Sequence, residues 1–392
     1  MSSNGQQATR GPLRFTRLRL ENWRNFRLLD VLLQRRMFVV GPNAAGKSNL
    51  LDAVRFLSDM VTVGGGFEAA VTKPHRGSVS MLRSLAARRY PDIGITVEIG
   101  TDEVPKAWTY ELSFGQDNQR RPIIKRERVL RLEEELLARP DPDDEKDPAR
   151  LRQTHLEQVN VNREFRDVAD FFASVRYRHI VPQLVREPDR SVGRRNDPYG
   201  GDFLETLAST SERTQQARLR RIRDALAVAV PQLEELQLFR DDRGTPHLRG
   251  KYKHWRSQGH WQSEEHFSDG TLRLLGLLWS VLDGSGPLVL EEPELSLHDE
   301  VTRFIPQMFA QVQRRTGRQI IVSTHSPRLV GDPGVGLDEV LVLTPGLEGS
   351  EGRLAADIPE IADTVNLGVP LDEVLLALTR PDEVSQLSLF GR

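Results

Sequence analysis

Apolar and charged residues alternate along "RFTRLRLE" (14–21), the period-2 pattern of a strand with one buried face. A polar turn, "NWRNF", follows, and residues 28–40 hold a second apolar stretch ending in the short buried strand "MFVV". From about Lys47 to Met60 the apolar residues recur at helical spacing, behind a glycine-rich turn. "VTVGGGFEAA" (61–70) predicts a flexible loop. Residues 94–100, 108–114 and 122–132 predict successive strands of an antiparallel patch. The proline- and charge-rich "ARPDPDDEKDPARLRQ" (138–153) reads as a surface loop, and "SVRYRHIVPQ" (174–183) as another strand. After the linker "REPDRSVGRRNDPYGG", residues 203–230 carry helical spacing, and an apolar helix opens near Ser268. "PLVLEE" and "RQIIVSTH" are short, continuously apolar runs, as in a parallel sheet covered on both faces. Near the end, "DEVLVLTPG" reads as a strand and "LDEVLLALTR" as a helix. No internal repeat or long heptad run is present.

Composition narrows the picture. The 392 residues are 28 % charged and 38 % hydrophobic, as in a soluble globular protein. No apolar run approaches the ~20 residues of a membrane helix, and the polar N-terminus lacks the apolar core of a secretory signal. A cytoplasmic location and no membrane partner are the expectations. There is no cysteine, so disulfides and thiolate metal sites are excluded. The net charge of −2 speaks against a wholly basic nucleic-acid binder. A local basic edge of Arg14, Arg17, Arg19, Arg24 and Arg27 remains a candidate DNA contact, although a strand face in solvent carries such residues too.

Four motifs carry chemistry. Gly41-Pro42-Asn43-Ala44-Ala45-Gly46-Lys47-Ser48 fits G-x-x-x-x-G-K-S between a strand and a helix, the context a P-loop requires. Its glycines let the backbone wrap phosphate oxygens, its N–H groups and the helix start attract anions, Lys47 reaches the β/γ-phosphates, and Ser48 ligates Mg²⁺. In "PLVLEEPELSLHD" the strand ends in Glu291 and Glu292. One acid at that place can hold Mg²⁺ through water, and the next can polarise an attacking water. "IIVSTHSP" ends the following strand in Ser323, Thr324 and His325, where an imidazole can bond a γ-phosphate. "FSDGTLRLL" sets Ser268, Asp269 and Gly270 before an apolar helix. Ser268 or Asp269 there serves as an N-cap; the same donors can face a phosphate held by another subunit.

Together these motifs resemble the ABC-type ATPases. More closely, "NWRNF", "GPNAAGKSNLLDAV", "VPQLVREP", "FSDGTLRLLGLL", "LEEPELSLH" and "STHSP" resemble the RecF-like predicted ATPases, often labelled AAA-type and related to the SMC, RecF and OLD families. The resemblance implies an α/β P-loop NTPase of ABC-ATPase type, a mixed sheet with an antiparallel β subdomain and an inserted helical lobe. It divides the chain into a disordered N-terminus (1–13), the first ATPase half (14–184), the inserted helical lobe (185–265), the signature and acidic half (266–345) and a C-terminal cap or partner-binding tail (346–392). It implies that Glu291 is the Walker B acid, Glu292 the catalytic base and His325 the switch histidine. Ser268, Asp269 and Gly270 would form the signature acting on a partner's nucleotide. Gln183 would be the glutamine contacting Mg²⁺ and water. Arg24 and Asn25 match a nucleotide-contacting turn, and Asn49 extends the phosphate turn. Glu291 stands where Asp is usual, and Asp269 where Gly is common; Arg273 is one candidate partner of Asp269. The implied activity is ATP hydrolysis with Mg²⁺ in an ATP-dependent homodimer serving DNA repair, DNA handling or defence, with DNA and a separate effector such as a nuclease as candidate partners. The alternative is a nucleotide-gated regulatory module with little turnover.

Overall fold

The computed structural model describes residues 11–87, 91–187, 196–253 and 260–380. The expectations for residues 1–10, for part of the linker (188–195) and for the last stretch of the tail (381–392) lie outside these. Strands β1 (Arg14–Trp23), β2 (Phe26–Leu32) and β3 (Arg36–Val40) open the chain, and the P-loop helix (Lys47–Val61) follows. Then come β4 (Ile93–Gly100), β5 (Trp108–Gln116), β6 (Pro122–Arg131), β7 (Glu134–Arg139) and the short β8 (Arg176–Arg178). Two helices (Phe203–Ser209 and Glu212–Ala229) lead into β9 (Leu233–Arg240), β10 (Pro246–Tyr252) and β11 (His260–Ser263). The signature helix (Asp269–Leu282), β12 (Leu288–Glu291), a long helix (Asp299–Thr316), β13 (Ile320–Ser323), β14 (Val340–Gly346) and β15 (Gly349–Leu354) complete the core, and helices Pro359–Asn366 and Leu371–Thr379 end it.

The strands form three sheets: β2-β1-β4-β5-β6-β7, antiparallel; β11-β10-β9; and the central sheet β15-β14-β3-β13-β12-β8. In the central sheet β14, β3, β13, β12 and β8 run parallel, with β15 antiparallel at the edge. Its continuous apolar runs are buried on both faces. Met37, Val39, Val289 and Ile321 join one core with the antiparallel sheet and the P-loop helix. Phe38, Val40, Leu288, Leu290, Ile320 and Val322 join a second core with the signature helix. The period-2 alternation of side chains thus splits each strand between two cores, and the loops at the strand ends collect on one edge. Gln319, just before β13, ties the central sheet to the antiparallel one: its carboxamide accepts from Phe15 N at 2.9 Å and donates to Phe15 O at 2.7 Å.

Several local expectations need correction. Residues 61–70 are not all loop: Phe67–Val71 is helical, with Phe67, Ala70 and Val71 buried. Their apolar side chains join the core around the P-loop helix. The 138–153 segment is not a loose excursion. Arg139 is fully buried and pairs with Glu127 at 3.0 Å and Asp144 at 2.8 Å. Asp141, Asp144 and His155 cluster there, but Arg139 and Arg150 already supply the positive charge, so the cluster reads as a structural ion network. The helical pattern of 203–230 breaks at Thr210 and Ser211 into two helices. The inserted lobe is only half helical, because β9–β11 follow. β15 belongs to the central sheet, so a tail drawn from 346 cuts a strand pair. Among the described residues no helix is long and apolar enough to cross a membrane.

Candidate functional site

The phosphate turn leaves β3 through Gly41 (φ 155°), Ala44 (φ 64°) and Gly46 (φ 97°), the left-handed positions that favour glycine. A Cβ on Gly41 would lie 2.5 Å from the Leu343 carbonyl of β14, and one on Gly46 would collide with the Asn25 carboxamide. Pro42, Asn43 and Ala44 are exposed or partly so, and Ala45 is buried behind the turn. Asn25 is the brace of this turn. Its Nδ2 donates to Ala45 O at 3.0 Å and to Ser350 Oγ at 2.7 Å, while its Oδ1 accepts from Asn49 at 2.9 Å. Arg24, left-handed at φ 54°, donates to His75 O at 2.8 Å. The Arg24 side chain therefore holds the backbone at His75, while that of Asn25 braces the P-loop. Arg24, Asn25 and Asn49 nonetheless line an open hollow beside it, with Met81, Leu85 and Leu347 on its rim.

Lys47 is 5 % exposed. Its ammonium donates to Gly41 O (2.7 Å) and Pro42 O (3.1 Å) and lies 3.2 Å from His325 Nδ1. Burial lowers its pKa, against the pull of Glu292, Glu294 and Glu291. His325 Nε2 in turn meets Glu292 Oε1 at 2.7 Å. An ammonium at Nδ1 requires a lone pair there, so the ring is the neutral tautomer that donates from Nε2 to Glu292. Burial and the Lys47 charge hold His325 below its usual pKa, in keeping with that neutral form. Lys47, His325 and Glu292 thus form one chain of hydrogen bonds joining the P-loop to the ends of β13 and β12.

Glu291 and Glu292 differ in surroundings. The Glu291 carboxylate accepts from the Tyr177 hydroxyl of β8, and His179 Nδ1 lies 3.2 Å from the Glu291 carbonyl. Burial, then Glu291, raises the Tyr177 pKa, so the phenol keeps its proton. Glu292 leaves the strand with φ 46° while its N–H still bonds Ser323 O at 3.0 Å. That left-handed kink turns the second carboxylate away from the first, toward His325. Ser48 is exposed at the start of the P-loop helix. The Ser48 hydroxyl and the Glu291 oxygen not engaged by Tyr177 are hard oxygen donors, which suits Mg²⁺.

Glu294 escaped sequence reasoning. It is 7 % exposed, and Oε1 accepts from Thr324 Oγ1 (2.6 Å) and from the His325 N–H (3.1 Å). Its Oε2 has no hydrogen-bond partner among the described residues, and neither do Nε and Nη1 of the buried Arg273. Burial raises the Glu294 pKa and lowers that of Arg273, whose guanidinium feels Glu294 first among nearby acids. The alternation of "VRYRH" and the repeated acid of "EEPE" were the available signals for Tyr177 and Glu294.

The signature serine follows its N-cap reading, while the signature acid and the glutamine engage each other. Ser268 caps its own helix: its Oγ accepts from Thr271 N at 3.2 Å. Asp269 pairs with Arg186 at 2.6 Å rather than with the candidate Arg273, and also accepts from Gln183 Nε2 at 3.3 Å. β8 ends at Arg178, and Gln183 lies on the short helix Pro182–Val185. Its carboxamide is bound to the signature acid; it makes no hydrogen bond to Glu291 or Ser48 among the described residues. A Cβ on Gly270 would lie 2.7 Å from Ser296 O, so a glycine there lets the turn after the acids approach the signature helix. The arginine edge is neutralised. Arg17 pairs with Asp30 (2.7 Å), Arg19 with Glu21 (2.7 Å), Arg14 with Asp102 (3.0 Å) and Arg27 with Glu348.

A family model described as "AAA domain, putative AbiEii toxin, Type IV TA system" matches residues 36–331. Among solved structures the chain is similar to an SmcHead bound to the C-winged helix domain of ScpA, with 12 % identity and a TM-score of 0.54 over 86 % of this chain and 97 % of that one. It is also similar to the Smc head domain of Pyrococcus furiosus with an extended coiled coil (10 %, TM-score 0.49, 90 % and 100 % covered) and to the SMC head domain of Thermotoga maritima (15 %, TM-score 0.42, 87 % and 98 % covered). The first of these supports an SMC-like fold. No curated protein matches the chain.

Proposed function

This chain belongs to the family of AAA domains whose model spans residues 36–331, and from that premise we propose that it binds and hydrolyses ATP as a RecF/SMC-like ATPase. It closes into a homodimer around the nucleotide, and that cycle drives or gates DNA repair, DNA handling or genome defence through a separate effector. The observation that carries the reading is the hydrogen-bonded chain Lys47–His325–Glu292, which joins three separate loops at one edge of the central sheet. The family's description, with its toxin and type IV system, supports the defence arm. The ScpA domain on the similar SmcHead supports a separate protein partner.

The chemistry follows from the residues. The P-loop N–H groups and the positive start of its helix hold phosphate oxygens. Lys47, already desolvated, supplies a point charge to the β/γ-phosphates. The neutral His325 donates to Glu292 and holds its carboxylate. Glu292 takes a proton from the attacking water as general base. Ser48 and Glu291, the latter oriented by Tyr177, would hold Mg²⁺, which when bound neutralises phosphate charge.

Calorimetric ATP titration with steady-state phosphate release tests this. Lys47→Ala should abolish or severely weaken ATP binding. Glu292→Gln should keep binding but slow turnover by ~10²-fold or more. Near-normal affinity in Lys47→Ala refutes the phosphate site, and tight binding with negligible turnover in the wild type makes the chain a nucleotide-gated module instead.

A further inference from the structure

The sheet of the inserted lobe has two unlike faces. Leu236 and Leu248 are buried on one, in the core that also holds Leu219, Ile222 and Leu226 of the Glu212–Ala229 helix. Cross-strand register sets the other. Phe239 stands opposite His247, Gln237 opposite Arg249 and Glu235 opposite Lys251 across β9 and β10; Lys251 also stands opposite Trp261 across β10 and β11. Partners directly opposite in an antiparallel pair share a face. On this face the planar groups form a row: the His247 ring stacks on Phe239 at 5.4 Å, and the Arg249 guanidinium lies 5.2 Å from the Phe239 centroid and 4.7 Å from that of Trp261. Trp261 remains 36 % exposed.

Over 233–253 and 260–265 the cations Arg240, Arg243, Arg249, Lys251 and Lys253 stand among Glu234, Glu235, Asp241, Asp242, Glu264 and Glu265, and β10 itself carries Arg249 and Lys251 with no carboxylate. Glu235 meets Lys251 at 3.2 Å, and Glu264 and Asp241 flank His247. Arg240, Arg243 and Lys253 on the rim are exposed. Flat π-faces beside cations suit unpaired bases on a charged backbone, since stacking works on any base and the cations answer the phosphates. A duplex hides its base faces and would use the cations alone.

We infer that the outer face of β9–β11, centred on Arg249 and Trp261, binds single-stranded DNA. The inserted lobe then carries the nucleic-acid contact that the paired arginines of β1 and β2 do not. The inference rests on the DNA arm of the proposed function, but its test uses no ATP and no turnover, so either can fail alone.

The test is fluorescence anisotropy of a labelled 20-mer of thymidylate with the full chain, in low and moderate salt. The wild type should bind it more tightly than a duplex or an oligouridylate of equal length, with affinity falling as salt rises. Trp261→Ala should weaken binding about tenfold or more. The exposed double variant Arg243→Glu/Lys253→Glu should weaken it and flatten the salt dependence. Arg17→Glu/Arg19→Glu should leave it unchanged. Unaltered circular dichroism and thermal unfolding midpoint show that each variant is folded. No binding by the wild type, tighter binding of duplex or oligouridylate, or full binding by both lobe variants overturns the proposal.

Discussion

Glu294 shows best what a single residue does here. It touches neither Lys47 nor the P-loop by any hydrogen bond among the described residues, yet its Oε1 holds both the Thr324 hydroxyl and the His325 N–H. It is a positioning residue: it fixes the backbone from which the imidazole reaches Glu292. A misplacement of about 1 Å at a reacting group can cost ~10²-fold in rate. Glu294→Ala should therefore cut kcat by ten- to a hundredfold while leaving ATP affinity near wild type. Glu294→Gln, which keeps an acceptor at Oε1, should recover much of the loss. Rapid-quench turnover beside a binding titration reads the split, and an equal loss of affinity would reduce Glu294 to a general structural role. The residues legible in sequence were those whose chemistry is local, such as the P-loop lysine and the acids ending β12. Tyr177 and Glu291 are 114 positions apart, and Arg186 and Asp269 meet only through packing. Partner choice of that kind depends on strand order and helix placement, which periodicity does not encode.

At the scale of elements, hydrophobic period was informative where a segment buries a face. The apolar runs of β3, β12 and β13 and the P-loop helix were legible for that reason. Hydrophobic period carries no signal where polar residues are buried by pairing. The 138–153 segment reads as loop because it is charged, yet its Arg139 is fully buried between Glu127 and Asp144, and Glu127 also accepts from His155 N (2.8 Å) and Leu156 N (3.1 Å). Removing the cation leaves buried Glu127 with neutral donors alone and Asp144 with only the more distant Arg150 at 3.6 Å. Arg139→Ala should destabilise the fold by about 3–5 kcal/mol, read as a lower urea midpoint with unchanged slope. A loss under ~1 kcal/mol would mean the segment is as loosely held as its composition suggests. β9–β11 were missed for the opposite reason. Arg249, Lys251 and Tyr252 make a mixed surface, and only one face of that sheet is apolar.

For the whole molecule, we propose that two copies share their sites. In one chain Ser268 is engaged with Thr271 and Asp269 with Arg186 and Gln183, and among the described residues no hydrogen bond or ion pair joins either to the phosphate turn. The signature helix presents its N-terminus while its apolar side lies in the second core. Such a terminus suits an anion supplied by another subunit. Ser268→Arg would fill that position with bulk and charge while sparing the chain's own P-loop. The direct measurement is sedimentation velocity of Glu292→Gln with ATP, with and without Ser268→Arg. Dimers are expected for the single variant and monomers for the double variant, with ATP affinity per chain nearly equal in both. Two monomeric proteins, or two that dimerise alike, would contradict it.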